Sequence, residues 1–90
     1  MQQIEPSAAE QTAWRLYGTL GCHLCEQAEQ LLHYCAEARN ITWQIIDIAD
    51  LDLAQQNALA AHIPVLTTAT TRLNWPFALP DLIRLADSPL

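Results

Sequence analysis

The stretch Leu16-Tyr17-Gly18-Thr19-Leu20-Gly21-Cys22-His23-Leu24-Cys25-Glu26 decides how the rest of the chain is read. It runs from an alternating segment, through a loop that holds both glycines of the chain, into a Cys-x-x-Cys. Upstream, Trp14-Arg15-Leu16-Tyr17 alternates apolar with polar side chains, the period of a half-buried strand, and Gly18 breaks it. Downstream, residues 22–39 contain neither Gly nor Pro. Cys25, Ala28, Leu32 and Cys35 recur there at three-to-four spacing with Leu31 beside them, opposite Glu26, Gln27, Glu29 and Gln30. The spacing predicts an amphipathic helix whose first turn carries the cysteine pair, with Asn40 as its stop signal.

Further along, Ile41-Thr42-Trp43-Gln44-Ile45-Ile46-Asp47-Ile48 is rich in β-branched and aromatic residues and reads as a second strand, placed at a sheet edge by its polar Thr42 and Gln44. Asp50 or Asp52 caps a second helix to about Leu59, with Leu51, Ala54, Ala58 and Leu59 offered to the core. After Pro64, Val65-Leu66-Thr67-Thr68-Ala69 is a third strand and Arg72-Leu73-Asn74-Trp75 a short fourth, joined by a Thr-rich turn. Pro80 suits the first turn of a last helix that Ser88-Pro89 ends. Residues 1–13 lack apolar periodicity and are expected to be a flexible tail before a domain over residues 14–90. The element order is therefore β-α-β-α-β-β-α. That is an α/β fold with a four-stranded mixed sheet flanked by helices, a right-handed parallel crossover first and a hairpin last.

Composition narrows the function. The chain has 90 residues, enough for one core, and 10 Asp+Glu against 4 Lys+Arg give it a net charge of −6. It has no lysine, and its arginines are scattered, so a role that neutralises phosphates or anionic lipid is disfavoured. No apolar run approaches the ~18–20 residues of a membrane span. The start, Met1-Gln2-Gln3-Ile4-Glu5-Pro6-Ser7, lacks the features of a signal peptide, and the expectation is a soluble cytoplasmic monomer.

Three cysteines are an odd count for the disulfide framework of a small secreted domain. The pair must be read by its position. Cys22 at or near the helix N-cap meets unpaired N–H groups and the positive end of the dipole, which favour a thiolate and predict a pKa below that of a free thiol. Cys25 lies one turn deeper on the same side. Cys22 is thus the candidate nucleophile and Cys25 the resolving thiol. His23 between them adds positive charge if protonated. The competing reading is half of a zinc or iron–sulfur site, which needs further ligands. Cys35 is a poor one, ~15 Å along the helix from Cys25, and it reads as a core residue; His33 at that end reads as a surface residue. A metal shared between two chains through Cys22 stays open. Trp14, Trp43 and Trp75 read as packing residues, His62 as a loop residue, and Asp47, Asp50 and Asp52 as caps and loop.

With the active-site stretch, Ile63-Pro64-Val65-Leu66 and Leu73-Asn74-Trp75-Pro76-Phe77 in view, residues 14–87 resemble the thioredoxin-like superfamily, and within it small glutaredoxin-like proteins. The resemblance implies a cis peptide bond before Pro64, facing the cysteine pair, with the Ile63 backbone pairing with substrate. It also offers glutathione as a co-substrate. The chain departs from glutaredoxins where they use glutathione, having Gly18-Thr19-Leu20-Gly21 in place of a basic residue and Asn74-Trp75-Pro76-Phe77 in place of a Gly-Gly turn. It also lacks the Trp-Cys-Gly-Pro-Cys of thioredoxins.

The reading is a glutaredoxin-like thiol–disulfide oxidoreductase or electron carrier. It would cycle Cys22 and Cys25 between dithiol and disulfide, with Ile63, Pro64 and His23 on the substrate side. It would need no resident cofactor or metal, only a protein or small-molecule disulfide and a thiol reductant. The alternatives are a metal or iron–sulfur carrier bridged through Cys22 across a dimer, and a non-catalytic interaction module.

Overall fold

A computed structural model describes residues 13–88 and places four strands in the order β2-β1-β3-β4. β1 is Trp14–Gly18, β2 Trp43–Asp47, β3 Val65–Thr67 and β4 Arg72–Asn74; the helices are α1 His23–Arg39, α2 Leu53–Ala60 and α3 Leu79–Asp87. β1 pairs with β2 in parallel and with β3 antiparallel, and β3 and β4 form an antiparallel hairpin. The expected order and the edge position of β2 hold. Residues 1–12 of the expected tail lie outside the described range, and Ala13, its last residue, is buried.

Strand alternation sorts the sheet into two unlike faces. Register aligns Ile45, Leu16, Leu66 and Leu73 in one row, with Trp14 and Trp43 above it. That face receives Ala28, Leu32 and Cys35 of α1 and Leu82 of α3, and with Phe77 they form the core. The opposite face presents the polar row Gln44, Arg15, Thr67 and Arg72 beside the apolar row Ile46, Tyr17 and Val65.

α2 lies over that second face, and none of the helix's own residues is buried. This corrects the expectation that Leu51, Ala54, Ala58 and Leu59 serve the core: Ala54 and Ala58 are exposed, and Leu51 and Leu59 only half-buried. Two helical turns supply too few large side chains to fill the gap. A hollow of about 420 Å³ remains between α2 and the sheet, lined by Arg15, Tyr17, Ile46, Leu59 and Arg72 among others. Side-chain capping holds α2 instead, since Asp52 accepts the Gln55 N–H at 2.8 Å and Gln56 Nε2 donates to the Leu51 carbonyl at 2.8 Å.

The other helix ends follow local rules as well. Asn40 takes φ 55°, the left-handed conformation that Asn tolerates, and its N–H closes α1 on the Ala36 carbonyl at 2.8 Å. Ala78 offers no side-chain acceptor, but Asp81 accepts the Ala78 N–H at 2.8 Å, which completes one half of a capping box. Arg39 Nε and Asp87 Oδ1, 2.7 Å apart, tie the C-terminal ends of α1 and α3 at the surface. Strands are shorter than expected: β2 starts at Trp43 rather than Ile41, and β3 stops at Thr67, where Thr68 Oγ1 accepts the Thr70 and Thr71 N–H groups and turns the chain.

Cys35 is fully buried. Burial pushes its thiol pKa up, Arg39 opposes this and Asp87 adds to it. A thiol raised in the folded state stabilises the fold fully below the unfolded pKa of about 8.5, and that contribution is lost as pH rises beyond it. Chemical denaturation is therefore expected to show falling stability from about pH 8 to pH 9.5, and Cys35→Ala should flatten that slope while lowering stability throughout. Leu82→Ala, which empties a fully buried site, should cost about 2–5 kcal/mol. Leu53→Ala, at a residue 70% exposed, should change stability by less than about 0.5 kcal/mol. Equal effects at the two leucines would contradict this core.

Candidate functional site

The loop after β1 delivers Cys22 to the N-cap of α1. Cys22 sits in extended backbone (φ −97°, ψ 106°), and the Cys25 N–H donates to its Sγ at 3.1 Å. The sulfur thus occupies the place that a Ser, Thr or Asp oxygen usually takes, satisfying one of the unpaired donors of the first turn. A backbone donor and the positive end of a 17-residue helix stabilise negative charge on that sulfur. Gly21, at φ +75°, makes the turn into the cap, and a Cβ there would meet nothing, so the requirement is conformational.

Cys25 reaches back to Cys22. Their Cα atoms are 5.2 Å apart, within the span a disulfide bridges, and the sulfurs are in bonding contact. Cys22 is half-buried and Cys25 is 6% exposed. Cys25 packs on the end of β1, where Gly18 has no side chain: a Cβ there would lie 3.0 Å from Cys25 Sγ and 3.2 Å from Cys25 Cβ. The Trp14–Gly18 strand can support the disulfide from below because its last residue is bare.

Register extends this arrangement sideways. Gly18 pairs with Asp47 across the β1–β2 edge. On the other side, the antiparallel pairing of Tyr17 with Val65 puts Pro64 one step on, beside Gly18. The Ile63–Pro64 bond is cis and Pro64 is fully buried. Its carbonyl accepts the Trp75 N–H at 3.1 Å, and Trp75 stacks edge-to-face on Phe77 with centroids 5.0 Å apart. Asp47, Gly18, Pro64 and Trp75 therefore stand in a row at the end of the sheet where α1 begins. The Trp75–Pro76 bond is also cis, a feature the sequence reading did not anticipate.

A cleft of about 170 Å³ opens on the β2 side of the disulfide. Buried Leu16 and exposed Leu20 and Ile45 are its apolar lining, Glu26, Glu29 and Asp47 are its carboxylates, and Cys22 and Cys25 line it too. Of the residues expected at the site, His23, Ile63 and Pro64 do not line this cleft. The His23 side chain is 93% exposed, with Nδ1 3.6 Å from a Glu26 oxygen; Ile63 is half-buried and Pro64 lies on the β3 side of Gly18. Sequence reasoning missed Leu20, Glu29, Ile45 and Asp47 as site residues. Alternation from Gly18 through its partner Asp47 is the signal that would have found the last two.

Elsewhere the expectations for single residues sort simply. His33 is exposed but stacks edge-to-face on Trp43, 5.1 Å between centroids. His62 is exposed. Asp47 accepts the Ala49 N–H at 2.9 Å, so both Asp47 and Asp52 act as caps. Among the described residues no helix is long and apolar enough to cross a membrane.

Comparison with known proteins agrees with this geometry. The family model for the glutaredoxin-like domain (DUF836) matches residues 15–85. The X-ray structure of the structural genomics target protein XcR50 from X. campestris is similar at a TM-score of 0.71 and 37% sequence identity, over 86% of this chain and 100% of that one. A search of curated proteins finds no match. The four-stranded mixed sheet, its helices and the cysteine pair on the first turn of α1 make the fold thioredoxin-like. The chain belongs to the glutaredoxin-like domain family.

Proposed function

We propose that this protein is a thiol–disulfide oxidoreductase or electron carrier in which Cys22 is the nucleophile and Cys25 the resolving thiol. The observation that carries the reading is the N-cap. One sulfur is half-exposed, accepts a backbone N–H, and lies within bonding contact of a second sulfur that is buried beneath it. In the reduced protein, Cys22 gives its proton to solvent and its thiolate attacks one sulfur of a substrate disulfide. The Cys22–substrate bond forms as the substrate bond breaks, and the leaving thiolate takes up a proton. Cys25, having lost its own proton, then attacks Cys22 Sγ and releases the second substrate thiol, which is protonated in turn. Two electrons and two protons have passed to the substrate, and an external thiol reductant restores the dithiol.

Position divides the labour between the sulfurs. Cys22 is the half-exposed sulfur open to a substrate, whereas Cys25, 6% exposed, packs against Gly18 and lies in bonding contact with Cys22. The cis Ile63–Pro64 bond beside Gly18 supports assigning the Ile63 backbone and Pro64 to the substrate side, as the family resemblance implies. His23, exposed above the pair and near Glu26, would act on the local charge rather than by contact with the sulfurs.

In a graded glutathione buffer followed by mass spectrometry, the protein is expected to lose two hydrogens in one step, with a midpoint between about −270 and −120 mV. Cys22→Ser should abolish reduction of a test disulfide, and Cys25→Ser should accumulate the mixed disulfide with it. Failure of the unaltered protein to form the internal disulfide or to reduce any disulfide removes this reading. Gly18→Ala should cost about 1–3 kcal/mol through crowding of Cys25 and should prolong the mixed-disulfide stage, because the resolving sulfur is displaced. An unchanged resolution rate would show that Gly18 does not set the position of Cys25.

A further inference from the structure

The surface around the disulfide carries charge of one sign. Glu26 and Glu29 of α1 and Asp47 at the end of β2 line the cleft, and none of the four arginines does. Arg15 and Arg72 lie on the opposite face of the sheet, beneath α2. Arg39 is paired with Asp87, and Arg84 with Asp81 on α3. His23 is the one cationic candidate beside the pair among the described residues. It points outward and meets Glu26 alone, so it offsets at most one of the three carboxylates.

The remainder of this surface is apolar. Leu20 is 90% exposed, Ile45 54% and Leu24 43%. Leu20 and Ile45 belong to the cleft, while Leu24 lies outside it, on the far side of Cys22 in the chain. A cleft of about 170 Å³ has room for one side chain. Exposed Leu24, in the first turn of α1, adds apolar surface outside the cleft, and a polypeptide is the occupant that covers both at once.

We propose that the physiological partner of Cys22 is a cationic polypeptide segment: a cysteine in disulfide linkage, flanked by Lys or Arg, with an apolar neighbour that enters the cleft. The proposal rests on the oxidoreductase reading above and names its substrate class. During exchange, one negative charge is shared among the attacking, central and leaving sulfurs as the Cys22–substrate bond forms and the substrate bond breaks. Basic side chains held by Glu26, Glu29 and Asp47 lie near that charge and lower its energy. Acidic side chains are repelled by the same three carboxylates, which no arginine offsets, and glutathione, with two carboxylates against one ammonium, belongs to the disfavoured class. Stabilisation of the Cys22 thiolate by the N-cap and discrimination by the rim are thus separate devices.

The test uses the full chain, reduced with dithiothreitol and freed of it, against the disulfide-linked homodimers of three end-blocked peptides: Lys-Leu-Cys-Lys, Gln-Leu-Cys-Gln and Glu-Leu-Cys-Glu. Rates of peptide reduction at low ionic strength are expected to fall in that order, with about tenfold or more between the first and last. The separation should shrink in about 0.5 M NaCl, a measurement that needs no variant. The triple variant Glu26→Gln, Glu29→Gln, Asp47→Asn should narrow the separation to about threefold or less, and the amide oxygen introduced at position 47 can still accept the Ala49 N–H. Glu37→Gln, an exposed carboxylate remote from the cleft on the same helix, should leave the separation as it was. Equal rates for the three peptides, a reversed order, or a separation that survives the triple substitution overturns the proposal. Reduction of none of the peptides would instead remove the oxidoreductase reading, so the two failures are distinguishable.

Discussion

The contact of Cys25 with Gly18 is the constraint on which the site is built. A helix that starts on top of a strand end must bring its first turn within van der Waals distance of the strand backbone, and Cβ atoms normally forbid that. Gly18 removes the obstacle, so Cys25 Sγ lies where a Cβ would be 3.0 Å away. With Cys25 seated there, Cys22 comes to the N-cap, receives the Cys25 N–H and remains at the surface. The same seat aligns the rest of α1, whose Ala28, Leu32 and Cys35 reach the sheet at successive turns. Apolar burial along that stripe supplies the energy that holds the first turn in place.

Around that seat, the two sides of the sheet end are unlike. On the β3 side a cis proline is buried and tied through its carbonyl to Trp75. On the β2 side, the edge strand leaves a cleft that Ile45 only partly fills and that Asp47 closes with charge. Among the described residues no charged side chain is buried, and the one buried free thiol is Cys35, whose pKa burial raises. Charge is confined to the surface, where carboxylates rim the disulfide and the arginines lie elsewhere.

Much of this was legible in the chain. Unbroken three-to-four spacing from Cys25 to Cys35 leaves no alternative to a long helix, and Asn40 is a residue that tolerates the left-handed conformation its end requires. The segments at β1, β2 and β3 have enough apolar and β-branched residues to be recognised, though their ends shifted where Thr68 turned the chain or where β2 began late. α2 misled the reading. Leu51, Ala54, Ala58 and Leu59 have helical spacing, but spacing does not say how closely the helix packs, and α2 leaves a hollow over a face that mixes Arg15, Thr67 and Arg72 with Tyr17 and Ile46. The carboxylates of the cleft were equally hidden, since Asp47 read well as a cap and does act as one.

By itself the sequence determined what depends on near neighbours: the helical and strand periods, the Cys-x-x-Cys at a helix start, capping from within the group Asp47, Asp50 and Asp52, the stop at Asn40, and the burial of Cys35. Those follow from interactions over a few residues, which local spacing encodes. The tertiary structure decided what depends on register between distant segments. Gly18 against Asp47 and beside Pro64 is a relation among residues 18, 47 and 64, set when three strands pair and α1 packs across them. It converts a cysteine pair that any helix start could carry into one whose buried sulfur rests on bare backbone and whose exposed sulfur faces an acidic cleft. A one-residue slip of β2 would turn Asp47 to the other face, because side chains alternate across a strand.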